Sequence, residues 1–79
     1  MMEKGKIIIS KSGRDKGKWF TVIKTEGNFV YIANGKLRKI ENPKKKNIKH
    51  IAETKMTINI EETLTNKNLN KMILELKNK

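Results

Sequence analysis

The sequence contains no cysteine, so neither a disulfide nor a thiolate metal site can staple the chain. That composition suits a reducing compartment. One Trp, one Tyr and two Phe leave little aromatic surface for a core. The one histidine, His50, has no cysteine or carboxylate cluster around it, which argues against a metal site. Acidic residues are few, and the adjacent Glu61-Glu62 point in different directions on either a strand or a helix. No nucleophile, base or orienting third group accompanies them, so catalysis fails on inventory. No cofactor is expected. No apolar run approaches the roughly 20 residues that a bilayer span requires. The segment Met1-Met2-Glu3-Lys4-Gly5-Lys6 leads into a three-residue apolar run, too short for a signal-peptide core. A cytoplasmic protein with no membrane association is expected.

What the chain has in excess is positive charge. Its 79 residues carry 19 Lys and Arg against 8 Asp and Glu, a formal net charge of +11. The excess is uneven: residues 1–52 hold 14 basic and 4 acidic side chains, and residues 53–79 hold 5 and 4. A genome rich in A and T enriches Lys, Asn and Ile, but such a bias does not empty the charge from one end. The asymmetry argues for a polyanion-binding face on the first two-thirds. The length allows one domain with a modest core, a monomer when free, whose stability is partly supplied by a partner.

Taken in order, residues 5–11 read as a strand, since β-branched residues dominate and a turn follows. Residues 18–25 form a second strand, with Phe20 and Val22 on one face and Trp19, Thr21 and Ile23 on the other. Gly27-Asn28 is a turn and Phe29-Val30-Tyr31-Ile32-Ala33 a third strand. Asn34-Gly35 is a strong hairpin signal, which predicts a fourth strand over Lys36-Leu37-Arg38-Lys39-Ile40. Pro43 interrupts, and Lys44-Lys45-Lys46 is expected to stay solvated because adjacent ammonium groups repel. Residues 48–54 read as a fifth strand. Short strands at tight spacing predict a small, partly open barrel, since closure hides sheet edges.

The tail changes period. Leu69, Met72, Ile73 and Leu76 recur at helical spacing, with Thr65 or Asn66 as cap and Lys77 and Lys79 suited to the C-terminal dipole. A helix this short is unstable free in water, so it should dock its apolar stripe on the barrel. Met56, Ile58, Ile60 and Leu64 form the connector, expected to cover a barrel edge. The division is a barrel over 1–55 and a connector with helix over 56–79, together one domain.

The central motif is Lys11-Ser12-Gly13-Arg14-Asp15-Lys16-Gly17-Lys18, flanked by Ile7-Ile8-Ile9 and Trp19-Phe20-Thr21-Val22-Ile23. Its glycines permit a sharp reversal, and Arg14, Lys16 and Lys18 project from it with only Asp15 as offset. The stretch from Ile7 to Ile23 resembles a KOW motif, a strand, loop and strand whose key glycine is matched by Gly17. Together with Asn34-Gly35-Lys36-Leu37-Arg38 and Pro43-Lys44-Lys45-Lys46-Asn47-Ile48-Lys49-His50-Ile51, it resembles the KOW-domain RNA-binding proteins of low-GC Gram-positive bacteria. These are short relatives of the archaeal and eukaryotic large-subunit ribosomal protein fourteen family. The resemblance covers residues 4–55 and departs at Asn34, where many relatives carry aspartate. It implies a mainly β fold, a small SH3-like (KOW) β-barrel of about five strands, here followed by a C-terminal α-helix.

It also implies an RNA-binding ribosomal or ribosome-associated protein that contacts large-subunit rRNA, with ribosomal proteins as neighbours. The expected contacts are Lys11, Ser12, Gly13, Arg14, Lys16, Gly17 and Lys18 in the loop, Lys36 and Arg38, then Lys44, Lys45, Lys46, Lys49 and His50. Against this stands the plainer reading that Arg14 and Asp15 tie the turn together and the lysine run is a solvated face. Trp19, Phe29 and Tyr31 either stack bases or fill core; Phe20 is expected in the core. Two other functions fit less well: a KOW-type transcription or translation factor touching RNA and protein together, and an SH3-like module for proline-rich segments. The second needs clustered exposed aromatics that this chain lacks.

Overall fold

Three consecutive isoleucines cannot alternate between core and solvent, so a strand made of them needs cover on both faces. That requirement organises the fold. The computed structural model describes residues 2–62 and 65–79. Strand β1 (Lys6–Ser10) is an interior strand of a five-stranded antiparallel sheet, with β2 (Trp19–Glu26) on one side and the edge strand β5 (Ile51–Thr57) on the other. Beyond β2 come β3 (Phe29–Ala33) and β4 (Lys44–Asn47), in the spatial order β4-β3-β2-β1-β5. A single 3-10 turn, Ile48–His50, joins β4 to β5.

Ile8 faces a core shared with Phe20, Val22, Val30, Ile32 and Ile51. Ile51 belongs to one edge strand, while Val30 and Ile32 lie three strands away in the flat order. Their meeting in one cluster requires the sheet to curl into a small barrel. An irregularity between Val22 and Lys24 in the β2–β3 pairing helps that curl, since a bulge bends its strand and increases twist. Ile7 faces the opposite way, into a second cluster with Ala33, Ile58, Leu69 and Ile73. Helix α1 (Asn66–Lys77) supplies the last two, docking its stripe on the outer face of the barrel as expected. Thr65 is the cap, its hydroxyl accepting from the Asn68 backbone N–H at 3.1 Å. Of the residues expected to form the connector, Met56 lies in β5, which runs past the expected barrel boundary at residue 55, and it packs with Ile58 and Ile60 into this helix-side cluster; Leu64 lies outside the described residues.

The first three strands, the helix and the mainly β architecture match the sequence reading. The fourth strand does not. Residues 36–40 form no strand, and the lysine run expected to remain solvated is itself β4. The reason in the first case is Asn34. Its Oδ1 accepts from the backbone N–H groups of Lys36, Leu37 and Arg38 at 3.1, 2.9 and 3.1 Å. A side chain that takes three successive donors curls the backbone into a closed loop and leaves nothing for a ladder. In the second case, β4 pairs along β3 from Phe29↔Asn47 to Ile32↔Lys44, and one lysine of the run is neutralised internally, as described below. The fifth strand starts at Ile51, because Ile48–His50 are taken up by the 3-10 turn that Asn47 caps. No helix among the described residues is long and apolar enough to cross a membrane.

Candidate nucleic-acid interface

The loop from 11 to 18 connects β1 and β2. Gly13 and Gly17 turn it with φ of 81° and 83°, a region that side chains disfavour. Backbone bonds from Gly17 N–H to the Ser10 carbonyl (2.8 Å) and from Lys18 N–H to the Asp15 carbonyl (2.9 Å) hold its shape. No atom lies within 4 Å of the place where a Gly17 Cβ would stand, so that side of the loop is open to an approaching backbone.

Asp15 points inward. Its Oδ1 accepts from Ser10 Oγ at 2.6 Å and from Lys46 Nζ at 2.7 Å, and its Oδ2 accepts from Lys44 Nζ at 2.9 Å. Lys46 completes the cluster, donating also to Ser10 Oγ at 2.7 Å and to the Ser12 carbonyl at 2.8 Å. An ammonium has three protons, and all three of Lys46 are thereby used inside the protein. Burial opposes ionisation of Asp15, but the hydrogen bonds from Lys46, Ser10 and Lys44 outweigh it and hold the carboxyl well below the usual carboxylate range. The plainer expectation for Asp15, a structural tie, is what the structure shows. Arg14 is exposed and takes no part in it.

Two consequences follow for charge. Lys46, expected among the phosphate contacts and in a run expected to stay solvated, is buried with no proton to spare, which corrects the expectation of solvation for this residue. The single acid of the loop is meanwhile withdrawn from the surface, so Arg14, Lys16 and Lys18 stand there without an offsetting carboxylate.

The closed turn at 34–38 lies alongside. Between it and the loop run two clefts, about 260 and 360 Å³ in volume, that share Lys18 and Leu37. The smaller is lined by Arg14, Arg38 and Lys44 as well, with the buried Phe20 beneath them. The larger adds Lys16, Lys36 and, from α1, Lys77, over Trp19 and Leu74. Asp15, already paired, is the one acid that lines either cleft. Seven of the chain's cations thus border one continuous surface, five of them expected from the loop and the 36–38 segment.

The remaining expected contacts are elsewhere. Lys45 alternates to the outer face of β4, 4.6 Å from the Phe29 ring centroid and 4.0 Å from Glu26. Lys11 and His50 are joined through backbone, with Lys11 N–H donating to the His50 carbonyl at 2.8 Å, and with Lys49 they line neither cleft. Ser12 serves through its carbonyl and Gly13 through its backbone angle. Phe20 is fully buried, Trp19 and Tyr31 are half-buried, and Phe29 is exposed. Ser10, Leu37 and Lys77 were missed. Ser10 carried a signal, as a polar residue closing an otherwise apolar strand; Lys77 carried none, because only packing brings α1 beside the loop. No family model and no curated protein matches this chain.

Proposed function

We propose that this protein binds structured RNA, with large-subunit rRNA as the target, as a ribosomal or ribosome-associated component of the cytoplasm. The observation that carries the reading is the inward turn of Asp15, which leaves Arg14, Lys16 and Lys18 on the outside with Lys36 and Arg38 facing them across the clefts. A cationic surface whose one acid is already paired with lysines suits phosphates, and a short loop fastened by that pair holds its charges at set spacing for the shape of a folded RNA. The likeness of residues 4–55 to KOW-domain proteins supports the same assignment. The mechanism is electrostatic capture, and it needs neither a cofactor nor a catalytic group.

Two measurements test it. Log Kd for a structured rRNA fragment should rise with log salt by roughly 0.7 to 0.9 per phosphate neutralised; an affinity indifferent to salt would refute the mechanism. Tagged protein should sediment with the large ribosomal subunit through a high-salt wash. Recovery with RNA polymerase instead would replace the ribosomal assignment with a transcription factor.

A further inference from the structure

The larger cleft has more in it than phosphate capture requires. Its rim carries four ammonium groups, Lys16, Lys18, Lys36 and Lys77, and no carboxylate. Its walls are apolar: Trp19, Leu37, Ile73 and Leu74. Leu37 and Leu74 are 55% and 48% exposed, among the most exposed large hydrophobic side chains described. Lys77 Nζ stands 5.9 Å from the Trp19 ring centroid, which sets a cation beside the indole. The carboxamide residues Asn34 and Asn70 complete the lining. A surface that only neutralised a duplex backbone would gain nothing from two leucines held half in water.

We propose that this cleft receives one unpaired nucleotide of the bound RNA, an inference that rests on the RNA-binding reading above. A nucleotide has the matching parts. Its phosphate answers the lysine rim, its base faces answer the leucines and the indole, and its polar edge answers the carboxamides. At about 360 Å³ the cleft falls within the range of about 300–1,000 Å³ typical of small-ligand pockets. A base inside an A-form helix keeps both faces stacked and cannot enter, so the nucleotide comes from a loop, bulge or end. Duplex phosphates then engage the Arg14–Arg38 cleft on the other side of the Lys18–Leu37 ridge, and the protein reads a junction between paired and unpaired RNA.

Trp19 is the chain's one tryptophan and lines the cleft, so its fluorescence reports occupancy directly. The probes are an RNA hairpin with an unpaired adenine-rich loop and a blunt duplex of the same stem, each followed also by anisotropy of a dye on the RNA. Both should bind, but only the hairpin should quench Trp19. Leu74→Ala should weaken hairpin binding about fivefold to tenfold, in keeping with loss of the apolar surface that a base would cover, and reduce the quench. Leu37→Ala serves as a second variant should the first perturb the helix, with circular dichroism reporting the fold. If both RNAs bind with equal affinity and neither alters the emission, the nucleotide site is refuted while RNA binding stands. Quenching equally strong with polyglutamate, or unchanged in both leucine variants, also overturns it. If neither RNA binds at low salt, the RNA reading itself fails and takes this inference with it.

Discussion

Lys46 Nζ lies 2.7 Å from Asp15 Oδ1, closing a contact between residues 31 apart in sequence. Both side chains are largely withdrawn from water, with 7% and 11% of their surface exposed. The pair fastens the β1–β2 loop to β4, the edge strand that lies two strands from β2 in the flat order. It also decides which cations remain available at the surface.

Removing one partner strands the other. Asp15→Ala leaves the Lys46 ammonium buried without its anion, and should cost about 3 kcal/mol, the low end for breaking a buried pair. Adding Lys46→Met should recover much of that loss, because an apolar replacement of the pair is often neutral. Urea denaturation of the single and double variants checks this. A double variant no more stable than Asp15→Ala would show that the site needs its charges.

The same pair sets the acid limit. The folded state holds the Asp15 carboxyl below its ordinary value of 3.8, so the unfolded chain takes up the proton first. The stability contributed by the ionised group is complete above that value and drains away as pH falls below it. Thermal midpoints measured down an acid series should therefore fall more steeply for the native protein than for Asp15→Asn. Parallel curves would contradict the assignment.

Gly35 and Gly17 separate two effects that a glycine can have. Both have φ near 80°, at 81° and 83°. A Cβ on Gly35 would run into the backbone carbonyl of Asn66 at the start of α1, whereas one on Gly17 would meet nothing within 4 Å. Gly17→Ala should cost only the left-handed strain, about 1–2 kcal/mol. Gly35→Ala should cost more, because the first turn of the helix must also move. Chemical denaturation of the two variants makes the comparison, and equal losses would refute it.

Arg14 and Lys16 are exposed and are proposed to touch phosphates. Arg14→Ala with Lys16→Ala should weaken RNA binding and make the log Kd–log salt slope shallower by roughly 1.5, two contacts' worth. The thermal midpoint should barely change. Unfolding of this variant would assign the tip a structural role instead.

Much of the architecture was legible because it depends on local pattern. The isoleucine run, the pair Phe20 and Val22 on one face of β2, and the spacing from Leu69 to Leu76 each name a face to be covered; Ile7, Ile8, Phe20, Val22, Leu69 and Ile73 are buried there, and Met72 and Leu76 partly so. Asn34-Gly35 was legible as a turn but misleading as a hairpin, because the Asn34 side chain can either support a two-residue turn or collect donors from a longer one. Only the neighbouring helix shows which. Gly35 packs on Asn66, whose Oδ1 accepts the Ile40 N–H at 2.7 Å and draws the segment away from the sheet.

Composition and periodicity alone determined that this chain is a small, mainly β domain with a docked helix and its positive charge concentrated in the first two-thirds, because burial pattern and net charge are sums over neighbours in sequence. Tertiary structure decided how three adjacent lysines divide, Lys46 inward to Asp15, Lys45 outward beside Phe29, Lys44 between loop and cleft. It also decided that Lys77 joins the loop's cations. Those outcomes turn on a carboxylate some thirty residues away and on the seat of a helix, and the energy of a charge depends on what folding brings within a few ångströms of it.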